Sequence, residues 1–216
     1  MNDFRTIDRN EVYRYMGFKG EIPEPHIMEM TMQVVKEILD AASPKFCALD
    51  SSLVVREDSV QLDWFTLESK ALAKHLAGCE GCVVFAATLG SGVDMLIYKY
   101  SALSPAKAVA AQAAATALIE SYADDICRIF SEEAAKDDLY ITARFSPGYE
   151  DLSLDSQKDF LRVLDAGKRI GLCLTDADML TPVKSITAIV GKTKTEHNCK
   201  VHKCNECNNT GCVYRI

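Results

Sequence analysis

The chain has 216 residues, 48% of them hydrophobic and 25% charged, with a formal net charge of −7. That is room and composition for one sizeable globular core. Basic residues are scattered except over 192–203, which disfavours a nucleic-acid role because phosphate binding needs a concentrated basic surface. No apolar run reaches the length of a membrane span, and the start Met1-Asn2-Asp3-Phe4-Arg5 lacks a basic-then-apolar secretory layout, so the expected location is the cytoplasm.

Asp8-Arg9-Asn10-Glu11 resembles a capping box and predicts a short helix stopping near Gly17. A proline-punctuated link over 21–25 follows. From His26, the spacing of Ile27, Met30, Val34, Ile38 and Ala41 predicts a helix ended by Pro44. Strands are expected over 46–55 and 60–64. A helix over 69–77 stops at Gly78. Residues 82–87 form a continuous apolar run, read as a central strand, and 88–92 connect tightly into a helix through Tyr100. Ser104-Pro105 supplies an N-cap and a first-turn proline for the longest helix, expected to end near Phe130. Its alanine-rich first half allows close packing. The longest apolar stretch, 106–119, lies within it and is interrupted by Lys107 and Gln112.

Residues 139–145 alternate like a strand, 155–166 read as a helix, 170–174 as a short strand and 185–190 as a clearer one. The mixed order of elements favours an α+β fold with a largely antiparallel sheet packed against long helices. The expected division is a domain over 1–191 and a Cys-rich tail over 192–216.

Ser146-Pro147-Gly148-Tyr149 fits a type II turn: proline presets the first corner, and glycine accepts the positive φ of the second. Arg144 before it carries a planar fork that matches a carboxylate. Tyr149 leaves the turn with a ring able to lie against a flat surface. On spacing alone, a Pro-Gly corner after a strand is more often only a turn.

The stretch Arg144-Phe145-Ser146-Pro147-Gly148-Tyr149 resembles the Arg-x-x-Pro-Gly-Tyr motif of the activation domain of cobalamin-dependent methionine synthase. Residues 118–124 look like that family's helix bearing an acidic ligand-binding residue. Residues 167–175 and 184–189 also look like family segments. The resemblance implies that Arg144, Ser146, Gly148, Tyr149 and Glu120 bind S-adenosylmethionine. It implies cobalamin on a methionine synthase partner, reduction by a flavodoxin or ferredoxin, and reductive methylation of cob(II)alamin. The chain lacks room for the homocysteine, methyl-folate and cobalamin modules, so it would be an accessory and not a complete synthase. The ligand's chemistry agrees: Arg144 suits its carboxylate, Glu120 its positive end, and glycine lets backbone approach closely. The family's N-terminal acidic residue has no assignable counterpart. Asp63, beside Trp64, is a weak candidate, and the N-terminal third is expected to supply the opposite wall.

Four of the nine cysteines, Cys199, Cys204, Cys207 and Cys212, crowd the last 18 residues. Thiolates at such spacing suit zinc or an iron–sulfur cluster, with His197 and His202 as substitutes. This supports an alternative: a metal or iron–sulfur protein that activates another corrinoid protein without S-adenosylmethionine. A plain S-adenosylmethionine sensor is a third reading. Cys79 and Cys82 form a C-x-x-C pair that reads as structurally buried, with a redox dithiol as the alternative, and Cys47, Cys127 and Cys173 read as core thiols. His75 and Met28, Met30 and Met32 read as packing or surface residues.

Overall fold

A computed structural model describes residues 7–18 and 21–195. The helices are α1 (Arg9–Tyr15), α2 (Pro25–Ala41), α3 (Lys70–His75), α4 (Ser91–Leu103), α5 (Pro105–Ala134), α6 (Gln157–Val163) and α7 (Ala166–Ile170). The strands are β1 (Lys45–Ser51), β2 (Leu53–Val55), β3 (Ser59–Leu62), β4 (Thr66–Glu68), β5 (Gly81–Thr88), β6 (Tyr140–Ile141), β7 (Cys173–Leu174), β8 (Leu180–Thr181) and β9 (Ser185–Thr193). The fold is α+β, as expected.

The main sheet is antiparallel, in the order β1–β5–β9–β6. Strand β5 is central and almost wholly buried, which explains its unbroken apolar run: both faces are covered. Its side chains alternate between two cores. Val83, Phe85 and Ala87 join Ala188 and Val190 of β9 under α1, α2, α4 and α5. Cys82, Val84 and Ala86 join Ile189 on the other face, under the β2–β3–β4 sheet, α3, α6 and α7. Helix α5 buries Ala110, Ala111, Ala113, Ala114, Ala115 and Ala117, and short side chains let a 30-residue helix lie close on its neighbours. Gly92 has a similar purpose, since a Cβ there would sit 2.5 Å from the Ala41 carbonyl oxygen.

Several boundaries differ from the sequence-based expectation. The 46–55 strand is two strands, β1 and β2, in separate sheets. The break is held by Asp63, whose carboxylate accepts from the Ser52 amide (3.0 Å), Ser51 Oγ (3.1 Å) and Ser52 Oγ. Those bonds, the Ser52 hydroxyl first, hold the Asp63 pKa below its usual range. Asp63 is therefore a clamp on a chain corner. Strand β4 was not expected, and α5 continues past Phe130 to Ala134. The 155–166 helix is broken: Asp165 adopts φ 47 and starts α7, which carries Ile170. The expected 170–174 strand shrinks to β7, paired in a hairpin with β8. At α1, Asp8 caps the Asn10 amide at 2.8 Å, whereas Glu11 pairs with Arg14 and does not close a capping box.

Cys47 and Cys82 are buried, Cys79 and Cys127 half-buried, and Cys173 is exposed, contrary to its expected core position. Burial pushes Cys82 up to about 12, which keeps it an inert thiol. His75 donates from Nε2 to the Ala143 carbonyl (2.8 Å) and packs on the Phe145 ring. Among the described residues, no helix is long and apolar enough to cross a membrane.

Candidate functional site

The expected 139–145 strand is interrupted where it matters. Ile141 pairs with Lys192, and Phe145 bridges Ile189. Four steps along one strand therefore cover three along the other. The extra residue is a bulge. It explains why Ile141 and Phe145, four apart, fall into opposite cores, although a regular strand would place them on one face. The bulge also releases Arg144 from the ladder, so its side chain crosses to α5.

There, Arg144 Nη2 lies 3.0 Å from Glu120 Oε2, and Nη1 lies 2.9 Å from Asp124 Oδ1. The second contact is an ion pair without hydrogen-bond alignment, so the buried Nη1 has no hydrogen-bond partner among the described residues. The Arg144 side chain is 16% exposed, against 45% for Glu120 and 52% for Asp124. One cation thus faces two carboxylates whose outer sides meet solvent, and the cluster carries a net negative charge. Burial raises the pKa of Glu120, opposed by Arg144. Asp124 shifts up for the same reason. Burial pulls the Arg144 guanidinium down, but Asp124 and Glu120 outweigh it and leave its pKa raised.

The sign of the resulting pH effect follows directly. A carboxyl whose folded pKa is raised favours folding in its protonated form. Its contribution is greatest below the ordinary carboxylate pKa and is lost as pH rises through the raised folded value. Glu120→Gln is therefore expected to raise the free energy of urea unfolding at neutral pH by up to about 1 kcal/mol, kept small by solvent screening at a half-exposed side chain. The gain should vanish on acidification below the carboxylate range. A loss of stability at neutral pH would contradict this account.

The turn after Arg144 forms as expected. Tyr149 N–H donates to the Ser146 carbonyl at 3.0 Å, and Gly148 has φ 90. A second loop closes behind it, with Gly148 N–H donating to Leu152 O at 2.8 Å. Ser146 is 7% exposed, and its buried Oγ has no hydrogen-bond partner among the described residues. Tyr149 is half exposed, with its ring edge-on to Phe145 at 5.8 Å. The structure thus brings Glu120 and Arg144 into contact and places Ser146, Gly148 and Tyr149 in the turn that follows.

Sequence reasoning missed Asp124. Its spacing of four from Glu120 puts both on one helical face, and that signal was available. Asp125, equally eligible by composition, turns to Arg128 instead. From the N-terminal third, α1 is the element that reaches this cluster. It packs on α5, and its Arg14 and Glu11 act electrostatically on Glu120. Arg14 stands 4.2 Å over the Tyr15 ring. The cysteines Cys199, Cys204, Cys207 and Cys212, with His197 and His202, lie outside the described residues. No group of His, Cys, Asp or Glu among the described residues forms a candidate metal site.

No family model matches the sequence, and no curated protein matches it. Among solved structures, the chain is similar to the MetH reactivation domain, in a crystal structure bound to AdoHcy. The two are 15% identical, with a TM-score of 0.62 over 86% of this chain and 76% of that one. At that identity, the likeness establishes a shared fold.

Proposed function

We propose that this chain is an S-adenosylmethionine-binding reactivation module that supports reductive methylation of cob(II)alamin on a cobalamin-dependent methionine synthase partner. The observation that carries the reading is the Arg144–Glu120–Asp124 cluster at the edge of the Ser146–Pro147–Gly148–Tyr149 turn. Arg144 takes the ligand's carboxylate with its fork. Glu120, with Asp124 beside it, faces the ammonium and sulfonium. The buried Ser146 Oγ offers a hydrogen bond that no described residue uses, and such a group calls for a partner. Gly148 keeps the turn open, and the half-exposed Tyr149 ring packs on the ligand. The shared fold with a domain crystallised with AdoHcy supports the same reading.

S-adenosylmethionine would supply the methyl group. The protein's work is to hold a charged donor in place and present it. The partner is a cobalamin-binding methionine synthase subunit, and a flavodoxin or ferredoxin provides the electron. The domain proposed for 1–191 runs on to the end of β9 at Thr193, and the rest of the proposed 192–216 tail holds zinc or an iron–sulfur cluster on Cys199, Cys204, Cys207 and Cys212. Metal analysis and a visible spectrum of anaerobically purified protein test the tail, with about one equivalent of zinc or a cluster's absorption expected. Metal-free, colourless protein would end that assignment.

Calorimetric titration of the full chain with S-adenosylmethionine and AdoHcy tests the main reading. The two ligands differ by the sulfonium charge, and the cluster is net negative. S-adenosylmethionine is therefore expected to bind more tightly by about tenfold, the size of one charge contact of roughly 1.4 kcal/mol at partly solvated separation. Absence of S-adenosylmethionine binding would sink the proposal.

A further inference from the structure

A second polar locus lies on the same helix, outside the residues assigned above. A cleft of about 450 Å³ is lined by Tyr15, Ala108, Val109, Gln112, Thr116 and Lys184, among others. Lys184 is half-buried at its wall. Its ammonium donates to Thr116 Oγ1 at 2.9 Å. The Thr116 hydroxyl proton is already committed to the Gln112 carbonyl at 2.8 Å. Lys184 forms no ion pair with a carboxylate among the described residues, and Asp94 acts on it only from beyond contact. A lysine ammonium has three donors, and Thr116 uses one.

The backbone that carries Lys184 is held firmly. Its carbonyl accepts from Leu89 N–H at 2.9 Å. The preceding Val183 N–H donates to Asp94 Oδ2 at 2.7 Å, and the following Ser185 Oγ donates to Thr88 Oγ1 at 2.8 Å. The ammonium is therefore preorganised against a floor made of alanine and a short stretch of α5. A half-buried cation with spare donors and no carboxylate in contact is an incomplete arrangement, and an oxyanion completes it.

We infer that this cleft is a binding site for a small molecule bearing a carboxylate or phosphate, with the oxyanion on the Lys184 ammonium near Gln112 and Tyr15 and an apolar body against Ala108 and Val109. Burial lowers the Lys184 pKa, Asp94 offsets only part of that effect, and a bound anion would raise it again. Arg144 does not line this cleft, although Glu120 acts electrostatically on Tyr15 at its wall.

The test uses the full chain with its lysine side chains labelled with ¹³C at Cε, titrated separately with inorganic phosphate and with butyrate. A saturable shift of the Lys184 resonance with either probe is expected, and whichever saturates names the source of the oxyanion. Saturation should persist in Lys184→Arg, followed there on amide resonances lining the cleft. In Lys184→Met, which keeps the length and removes the charge, apparent affinity should fall at least tenfold. The Arg144→Ala variant should bind the probes as the parent does. Shifts that fail to saturate with both probes, or a Lys184→Met variant that binds as tightly as the parent, would overturn the inference.

Discussion

Replacing Arg144 by alanine is expected to weaken S-adenosylmethionine binding by at least about 100-fold while the protein stays folded. Two charge-assisted hydrogen bonds to a carboxylate contribute about 1.5–3 kcal/mol each, which places the combined loss at two orders of magnitude or more. The substitution also removes the cation that now opposes burial at Glu120 and Asp124. Two neighbouring carboxylates would then raise each other's pKa further. Both side chains are about half exposed, so they relax into water, and the effect on folding should stay near 1 kcal/mol. Arg144→Lys is the informative control, because it keeps the charge and loses the planar fork. It should fall between the parent and the alanine variant in a calorimetric titration. Parent-like affinity in Arg144→Ala would remove Arg144 from the site.

Phe85→Ala is expected to give the largest loss of stability, about 3–5 kcal/mol, from lost burial and the cavity left behind. Phe85 is completely buried in the middle of β5, and its ring meets Phe130 of α5 edge-on at 5.4 Å. That contact ties the centre of the sheet to the longest helix. A loss of this size is a large part of the 5–15 kcal/mol typical of a folded domain. Urea unfolding should show a lower midpoint with an unchanged slope. A loss below about 1 kcal/mol would mean that the core closes around the gap and that β5 is not the rigid centre described here.

The expected elements were legible where their signals were local. The Ser104-Pro105 start of α5, the periodic α2, and the unbroken apolar run of β5 each identify themselves within a short window. Signals failed where a side-chain clamp or a single left-handed residue decided the outcome. Asp63 divides β1 from β2 through bonds to Ser51 and Ser52, and the break before α7 falls at Asp165 with a left-handed backbone. Neither event leaves a mark in hydrophobic periodicity.

The candidate site divides in the same way. The amino-acid sequence by itself determined the turn: proline at its first corner and glycine at its second leave few alternatives, and the turn forms with Gly148 at φ 90. It also placed Glu120 and Asp124 on one face of α5, because a helix repeats every 3.6 residues. Only the tertiary structure decided that Arg144 meets them. That contact spans 24 positions and depends on one extra residue between the Ile141 and Phe145 pairings with β9. Register between distant strands is a property of the assembled sheet, so a local pattern can name Arg144 as a candidate but cannot aim it.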